Sequence, residues 1–165
     1  MIYIYLTLVT FFTLLGFNSL AQTSTNSNGE LVINKDSMLK FLYKHSFEQY
    51  NVAPNIPKEF TEKKDKYEVP ADETIMAFID ASIMGNAKFG IVIGLKGLYI
   101  YNSSTSASPG RKVLSYTTFK LAEVLRDNKH ELSIGPVKLE IFGLSKDDSI
   151  KAETFFKDMK LKLLH

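Results

Sequence analysis

From Glu73 onward, apolar positions of this chain recur with a period of two, which predicts β-strands. Strands are expected at residues 75–82 and 89–95, where every second position is apolar. The dipeptide Lys96-Gly97 follows the second run. We expect a tight hairpin there, with Gly97 at positive φ, leading into a strand at residues 98–101.

Shorter runs of the same kind continue toward the C-terminal end. Strands are expected at residues 112–119, 121–126, 132–134 and 138–142, with turn signals at Asp127-Asn128 and Gly135-Pro136. Several short strands at this spacing indicate a sandwich or a small barrel.

Helical spacing of apolar residues predicts one helix on each side of the strand region. On the C-terminal side, Ser145 is expected to cap a helix whose stripe includes Phe155 and Phe156 and covers the open end of the barrel. On the N-terminal side, Asp36 is expected to cap a helix that begins at Ser37. The predicted fold class is α+β and mainly β: a small β-barrel or sandwich capped by a C-terminal helix, with an extra N-terminal helix.

The other segments divide the chain into four parts. Residues 1–21 are an apolar leader, residues 22–35 a polar tether, and residues 36–72 a helix followed by a linker. Prolines and a run of charges predict that the linker is irregular and solvated at residues 51–70. Residues 73–165 are expected to form the domain itself.

The leader predicts export to the periplasm or out of the cell. Residues 2–17 are nearly all apolar, and Ser19-Leu20-Ala21 places small residues where a signal peptidase requires them, directly before Gln22. No Lys or Arg precedes the apolar stretch. The alternative is therefore an uncleaved membrane anchor, for which about 20 apolar residues are needed.

Composition and motifs narrow the classes of function. A net charge of +2 gives no basic excess for nucleic acid, and the absence of cysteine removes disulfides, thiol catalysis and lipoprotein attachment. Phosphate-binding, dinucleotide-binding, nucleophile-elbow and zinc-protease motifs do not occur. His45, His130 and His165 lack partners at ligand spacing, and Asp80 is a single carboxylate on a strand. We expect no enzyme activity, no metal and no cofactor.

Several short segments resemble those of bacterial pleckstrin-homology-like (PH-like, or GRAM-like) domains. They are the strand end Asp80-Ala-Ser-Ile-Met-Gly85, the hairpin Lys96-Gly-Leu-Tyr99, the pair Ser115-Tyr116, and the step Gly143-Leu144 into the final helix. The resemblance covers roughly residues 73–164 and implies a PH-like barrel, without implying any chemistry. Phe89 and Gly94 depart from the family pattern, in which an acidic residue and a threonine are expected.

The order of the strands also predicts where a ligand would bind. Alternate loops of an antiparallel meander lie at the same end, so the loops at residues 85–88 and 102–111 are expected to be neighbours. Lys88, Arg111 and Lys112 would then meet at one mouth of the barrel, similar to the mouth where PH domains hold phosphoinositides. The expected ligand there is an anionic lipid headgroup or an acidic partner surface.

These features predict a non-catalytic interaction module, exported or tethered to a membrane, that binds a protein, a peptide or an anionic lipid surface. An immunity or inhibitor protein that occludes a toxin is the first alternative, and its gene would lie beside that of the toxin. An uncharacterised hydrolase is the alternative from a different class.

Processing of the N-terminal segment tests the predicted export. We expect cleavage after Ala21, because the Ser19-Leu20-Ala21 pattern follows an apolar stretch of suitable length. Mass spectrometry of natively expressed protein should show a chain that begins at Gln22. An intact Met1 in the membrane fraction would establish the anchor instead.

Overall fold

The computed structural model describes residues 23–103 and 109–164, so the leader and its cleavage site lie outside the described residues. The fold of this part is α+β, with most elements in three antiparallel sheets. The strands are β1 (Thr23–Thr25), β2 (Leu31–Ile33), β3 (Tyr50–Val52), β4 (Ile75–Asp80), β5 (Gly90–Gly94), β6 (Gly97–Asn102), β7 (Gly110–Ser115), β8 (Val124–Asn128), β9 (Glu131–Ile134) and β10 (Val137–Glu140). The helices are α1 (Lys35–Leu42), α2 (Lys58–Thr61), α3 (Tyr116–Leu121) and α4 (Lys146–Leu163), with a 3-10 turn at Lys64–Tyr67.

The central sheet has five strands in the order β3-β4-β5-β6-β7. The hairpin predicted at Lys96-Gly97 is confirmed, because β5 and β6 pair antiparallel with Ile93 opposite Leu98. The expected positive φ at Gly97 is wrong. A Cβ at Gly97 would instead lie 2.7 Å from the carbonyl oxygen of Leu114, so glycine is needed there for the close approach of β7.

Both faces of the central sheet are buried, and residues between β3 and β4 cover one of them. Phe78 and Val92 lie on that face and pack against Phe60 of α2 and Tyr67 of the 3-10 turn. Phe60 is 1% exposed and Tyr67 is 0% exposed. The prediction of an irregular, solvated linker at residues 51–70 is therefore wrong for these two aromatic positions and for the part of the edge strand β3 that it supplies, whereas most of the charge run at residues 62–66 is exposed.

The polar segment before the first helix forms a hairpin from its first described residue. β1 pairs antiparallel with β2, with Thr23 opposite Ile33. The side-chain oxygen of Asn26 accepts the backbone N–H of Glu30 at 2.9 Å, which closes the turn. The hairpin contacts the sheet where the N–H of Ile33 donates to the carbonyl oxygen of Leu95 at 3.0 Å. The tether prediction is therefore wrong for these residues.

Two helices differ from the sequence-based expectation: α1 begins at Lys35 and not at Ser37, and α3 replaces the end of a predicted strand. Asn34, and not Asp36, caps α1, because the Asn34 side chain accepts the N–H of Asp36 at 3.0 Å. The strand predicted at residues 112–119 ends at Ser115, whose Oγ accepts the N–H of Thr118 at 3.2 Å and caps α3. Capping by short polar side chains thus overrides the strand preference of the residues that follow.

The other face of the central sheet lies in the main core, beneath α4 and the three-stranded sheet of order β10-β9-β8. Ser145 caps α4 as predicted, since its Oγ accepts the N–H of Asp148 at 3.1 Å. Phe155 and Phe156 are fully buried, as the apolar stripe predicted. The three sheets stay separate in the described ranges, so the predicted barrel does not close there.

The Glu73 side chain fills the space beside Gly94. A Cβ on Gly94 would lie 2.4 Å from Cδ of Glu73. The Glu73 carboxylate occupies this space and accepts the N–H of Leu95 at 2.9 Å and the phenol of Tyr99 at 2.5 Å. Burial, and then the bond to Glu73, raise the pKa of Tyr99 above its usual range, so the phenol stays a neutral donor.

Truncation of Phe60 tests whether α2 covers the sheet. Phe60→Ala should lower the free energy of unfolding by about 3–5 kcal/mol, because the buried ring stacks on Phe78 with 4.5 Å between centroids. Phe156→Ala should cost a similar amount. Leu161→Ala is the control at a 66% exposed position and should change stability by less than about 0.5 kcal/mol. Urea denaturation measures all three, and wild-type stability of Phe60→Ala would contradict the burial of this segment.

Candidate functional site

The loop between β4 and β5 carries two adjacent, highly exposed apolar side chains. Ile83 is 72% exposed and Met84 is 84% exposed. Single apolar residues scattered over a surface need no explanation, whereas two large ones side by side at a loop end are candidates for binding. Residues 82–88 are referred to below as the tip loop.

A tight turn pushes these two side chains outward. The N–H of Gly85 donates to the carbonyl oxygen of Ser82 at 3.1 Å, which places Ile83 and Met84 at the two central positions of a four-residue turn. Gly85 has a φ of +59°, a conformation that glycine adopts without strain. Central turn positions favour polar residues, proline and glycine, so the turn itself gives no reason for isoleucine and methionine there.

A buried carboxylate holds the base of the tip loop. Asp80, the last residue of β4, is 4% exposed. Its Oδ1 accepts the N–H of Ser82 at 2.9 Å and also the Ser82 hydroxyl, and its Oδ2 accepts the N–H of Ala87 at 2.7 Å. Three donors from both ends of the loop therefore converge on one side chain, and such bonds to a carboxylate are stronger than neutral ones.

Ala87 closes the loop in a conformation that non-glycine residues rarely adopt. Its φ is +52° and its side chain is fully buried. A backbone of this kind costs about 1–3 kcal/mol and persists only where surrounding contacts enforce it. Here the Tyr67 phenol donates to the Ala87 carbonyl oxygen at 3.3 Å. Burial, and then the charge of Asp80, raise the pKa of Tyr67 far above its usual range, so the phenol remains a donor.

Lys88, Arg111 and Lys112, which were predicted to meet at one mouth of the barrel, have different positions and partners in the structure. Lys88 is exposed in the tip loop. Arg111 lies opposite Tyr101 on β6, pairs with Glu68 at 2.7 Å, and donates to the Lys66 carbonyl oxygen. Lys112 is the next residue of β7, and successive side chains of a strand point to opposite faces. The strand therefore does not direct Arg111 and Lys112 to one mouth.

His45, one of the histidines considered in the sequence, lies against the aromatic core. His45 packs against the rings of Phe41 and Phe155, and burial lowers the pKa of His45 more than Asp158 raises it. No group of three or more metal-ligating side chains occurs among the described residues. In residues 23–103 and 109–164, no helix combines the length and the apolar character needed to cross a membrane.

The exposed pair in the tip loop was missed by the sequence analysis, although a signal was present. Ile83 and Met84 come directly before Gly85-Asn86, a turn signal between two predicted strands. Ile83 continues the alternation of Ile75, Ala77, Ile79 and Ala81, so only the position of the pair directly before this turn signal marks it as part of a loop. The exposure of the pair could have been inferred from this, but the buried role of Asp80 could not, because its donors come from residues up to seven positions away.

Comparison with known proteins identified no relative of this chain. No family model matches the chain, and no curated protein or solved structure matches it. The resemblance to PH-like domains therefore stays a prediction, and the assignment of a site depends on the geometry of the tip loop.

Replacement of the anchoring carboxylate tests whether Asp80 holds the tip loop. Asp80→Asn turns one of the two acceptor oxygens into a donor that faces a backbone N–H, so we expect a loss of about 1–3 kcal/mol in unfolding free energy. Amide exchange of residues 82–88 should accelerate. Asp72→Asn, at an exposed aspartate paired with Lys96, is the control and should change neither quantity. Unchanged exchange in Asp80→Asn would show that the loop is held by other contacts.

Proposed function

We propose that this protein is a non-catalytic interaction module, exported or tethered to a membrane, that binds a protein partner through the tip loop. The observation that carries the proposal is the exposure of Ile83 and Met84 on a loop fixed by a buried carboxylate. The proposal keeps the PH-like type, which is supported by the order of β4 to β7, then β8 to β10 after the short helix α3, and finally the C-terminal helix α4.

The rigidity of the loop supports a binding role. Ordering a side chain at an interface costs about 0.5–1.5 kcal/mol, and a preformed backbone avoids the larger cost of ordering a loop. Strained backbone such as that of Ala87 concentrates at functional sites, where it positions neighbouring groups. A partner with an apolar pocket would gain most of its affinity from a few central side chains, here Ile83 and Met84.

The position of β1, the first described strand, supports a protein partner. If the leader anchors the protein, the anchoring membrane lies on the β1 side of the domain, so the tip loop is less suited to bind that membrane. β1, at the start of the described chain, pairs with β2, and β2 contacts the turn at Leu95 through Ile33. That turn ends β5, whereas the tip loop precedes β5, so the two lie at opposite ends of the strand. A domain anchored through the leader would present Ile83 and Met84 away from its membrane, toward soluble partners.

An anionic lipid surface is the second candidate, and two lysines favour it. Lys88 is exposed within the tip loop, and Lys63 donates through Nζ to the carbonyl oxygen of Asn86. Each basic side chain near an anionic membrane contributes about 1 kcal/mol. Two lysines therefore give weak, salt-sensitive attachment unless Ile83 and Met84 insert as well.

Site-specific photo-crosslinking tests the proposal in the native host. A benzophenone side chain at position 84 should give a discrete protein adduct, and the same group at Val113, 58% exposed on β7, should not. The adduct should disappear in Ile83→Ser, because a partner pocket loses its apolar anchor. Sedimentation with vesicles of anionic and of zwitterionic lipid distinguishes the second candidate. Without an adduct and without vesicle binding, the proposal fails.

A further inference from the structure

A groove of about 400 Å³ runs between β8 and α4. Its apolar part includes Leu125, which is 44% exposed, and Leu161, which is 66% exposed. The remaining lining is Val124 below, with Glu123 on the strand side and Lys157 and Lys160 on the helix side. The groove shares no residue with the tip loop, so it is a separate surface.

The strand that borders the groove is the edge of its sheet. β8 pairs with β9, with Val124 opposite Ile134, and no strand flanks its other side in the described ranges. Along an edge strand, alternate residues direct their N–H and C=O groups outward, where they can pair with another chain. Lys160 donates through Nζ to the carbonyl oxygen of Ala122, which shows how closely α4 approaches the start of this strand.

The helix side of the groove is cationic and accessible to an acidic ligand. Lys157 is 52% exposed and pairs with Glu153 at 2.7 Å. Glu153 is 20% exposed and also accepts from Arg126, so this carboxylate keeps a partner when a ligand carboxylate takes the Lys157 ammonium group. Lys160 bonds to a carbonyl oxygen, which leaves its positive charge uncompensated by that contact. Aliphatic walls together with two ammonium groups complement a segment that carries aliphatic and acidic side chains.

We infer that this groove binds an extended peptide segment of a partner protein, which adds a strand to the outer edge of β8. In the bound segment, an aliphatic side chain packs between Leu125 and Leu161, and an acidic side chain faces Lys157. Main-chain hydrogen bonds to β8 supply affinity, and the side-chain contacts supply specificity. Because side chains of a strand alternate, the aliphatic residues of the segment recur at every second position.

Selection from a library of random 12-residue peptides displayed on phage, with the full chain as target, tests the inference. Enriched peptides should carry alternating aliphatic residues and at least one Asp or Glu. Leu161→Ser should weaken their binding about tenfold or more, and Lys157→Glu should weaken it about three- to tenfold. Both substitutions lie at exposed positions, and a thermal melt verifies folding.

Two control variants match these substitutions in chemistry but lie outside the groove lining. Leu121→Ser replaces an 84% exposed leucine of α3, and Lys162→Glu replaces a lysine of α4 that pairs with Asp158. Both should bind the selected peptides within about twofold of wild type. Hydrogen exchange of the amides in Val124–Asn128 should slow on binding, because an added strand occupies the outward N–H groups.

Each other outcome overturns the inference. Failure to enrich any peptide shows that the groove is not a peptide site. Enriched peptides that bind Leu161→Ser as tightly as wild type occupy another surface. A bound peptide that is helical, or that leaves exchange in β8 unchanged, excludes strand addition.

Discussion

A sheet that is apolar on both faces must be covered twice, and this requirement organises the rest of the structure. β4, β5 and β6 bury nearly every residue, so alternate positions contribute to two separate clusters. The main core lies under α4 and the three-stranded sheet, and the smaller cluster depends on Phe60 and Tyr67. A buried aromatic side chain removes about 150–250 Å² from water, so these two rings supply much of the cover for the second face.

The segment that covers the second face of the sheet also contacts the tip loop. Tyr67 packs beneath the sheet and donates to the carbonyl oxygen of Ala87, and Lys63 donates to that of Asn86. Asp80 holds the same loop from the sheet side. The tip loop is therefore fixed between β4 and the segment at residues 56–69. Because that segment both completes the core and orients Ile83 and Met84, a change that loosens it alters stability and the presentation of the tip together.

Local signals predicted the elements that depend on local physics. The strands around residues 75–80 and 90–94, the hairpin after Gly94 and the cap at Ser145 follow from alternation, turn chemistry and capping. The cover at residues 56–69 escaped prediction because its burial rests on isolated aromatic residues between lysines and glutamates, with no periodicity to detect. The role of Asp80 in holding the tip loop was not predicted, because the hydrogen-bond donors of its carboxylate come close to it only in the folded backbone.

The helix α4 sets the relation between the two proposed surfaces. Near its start, the N–H of Gly143 donates to the carbonyl oxygen of Ala81 at the base of the tip loop, and the groove lies beside Lys157 and Leu161. At 1.5 Å per residue, these points are about 20 Å apart along the helix axis. About six or seven extended residues span this length of the helix, so a partner chain that bound both surfaces would need at least that many residues between its two contacts. The second contact of such a chain would form at the effective concentration set by that connection.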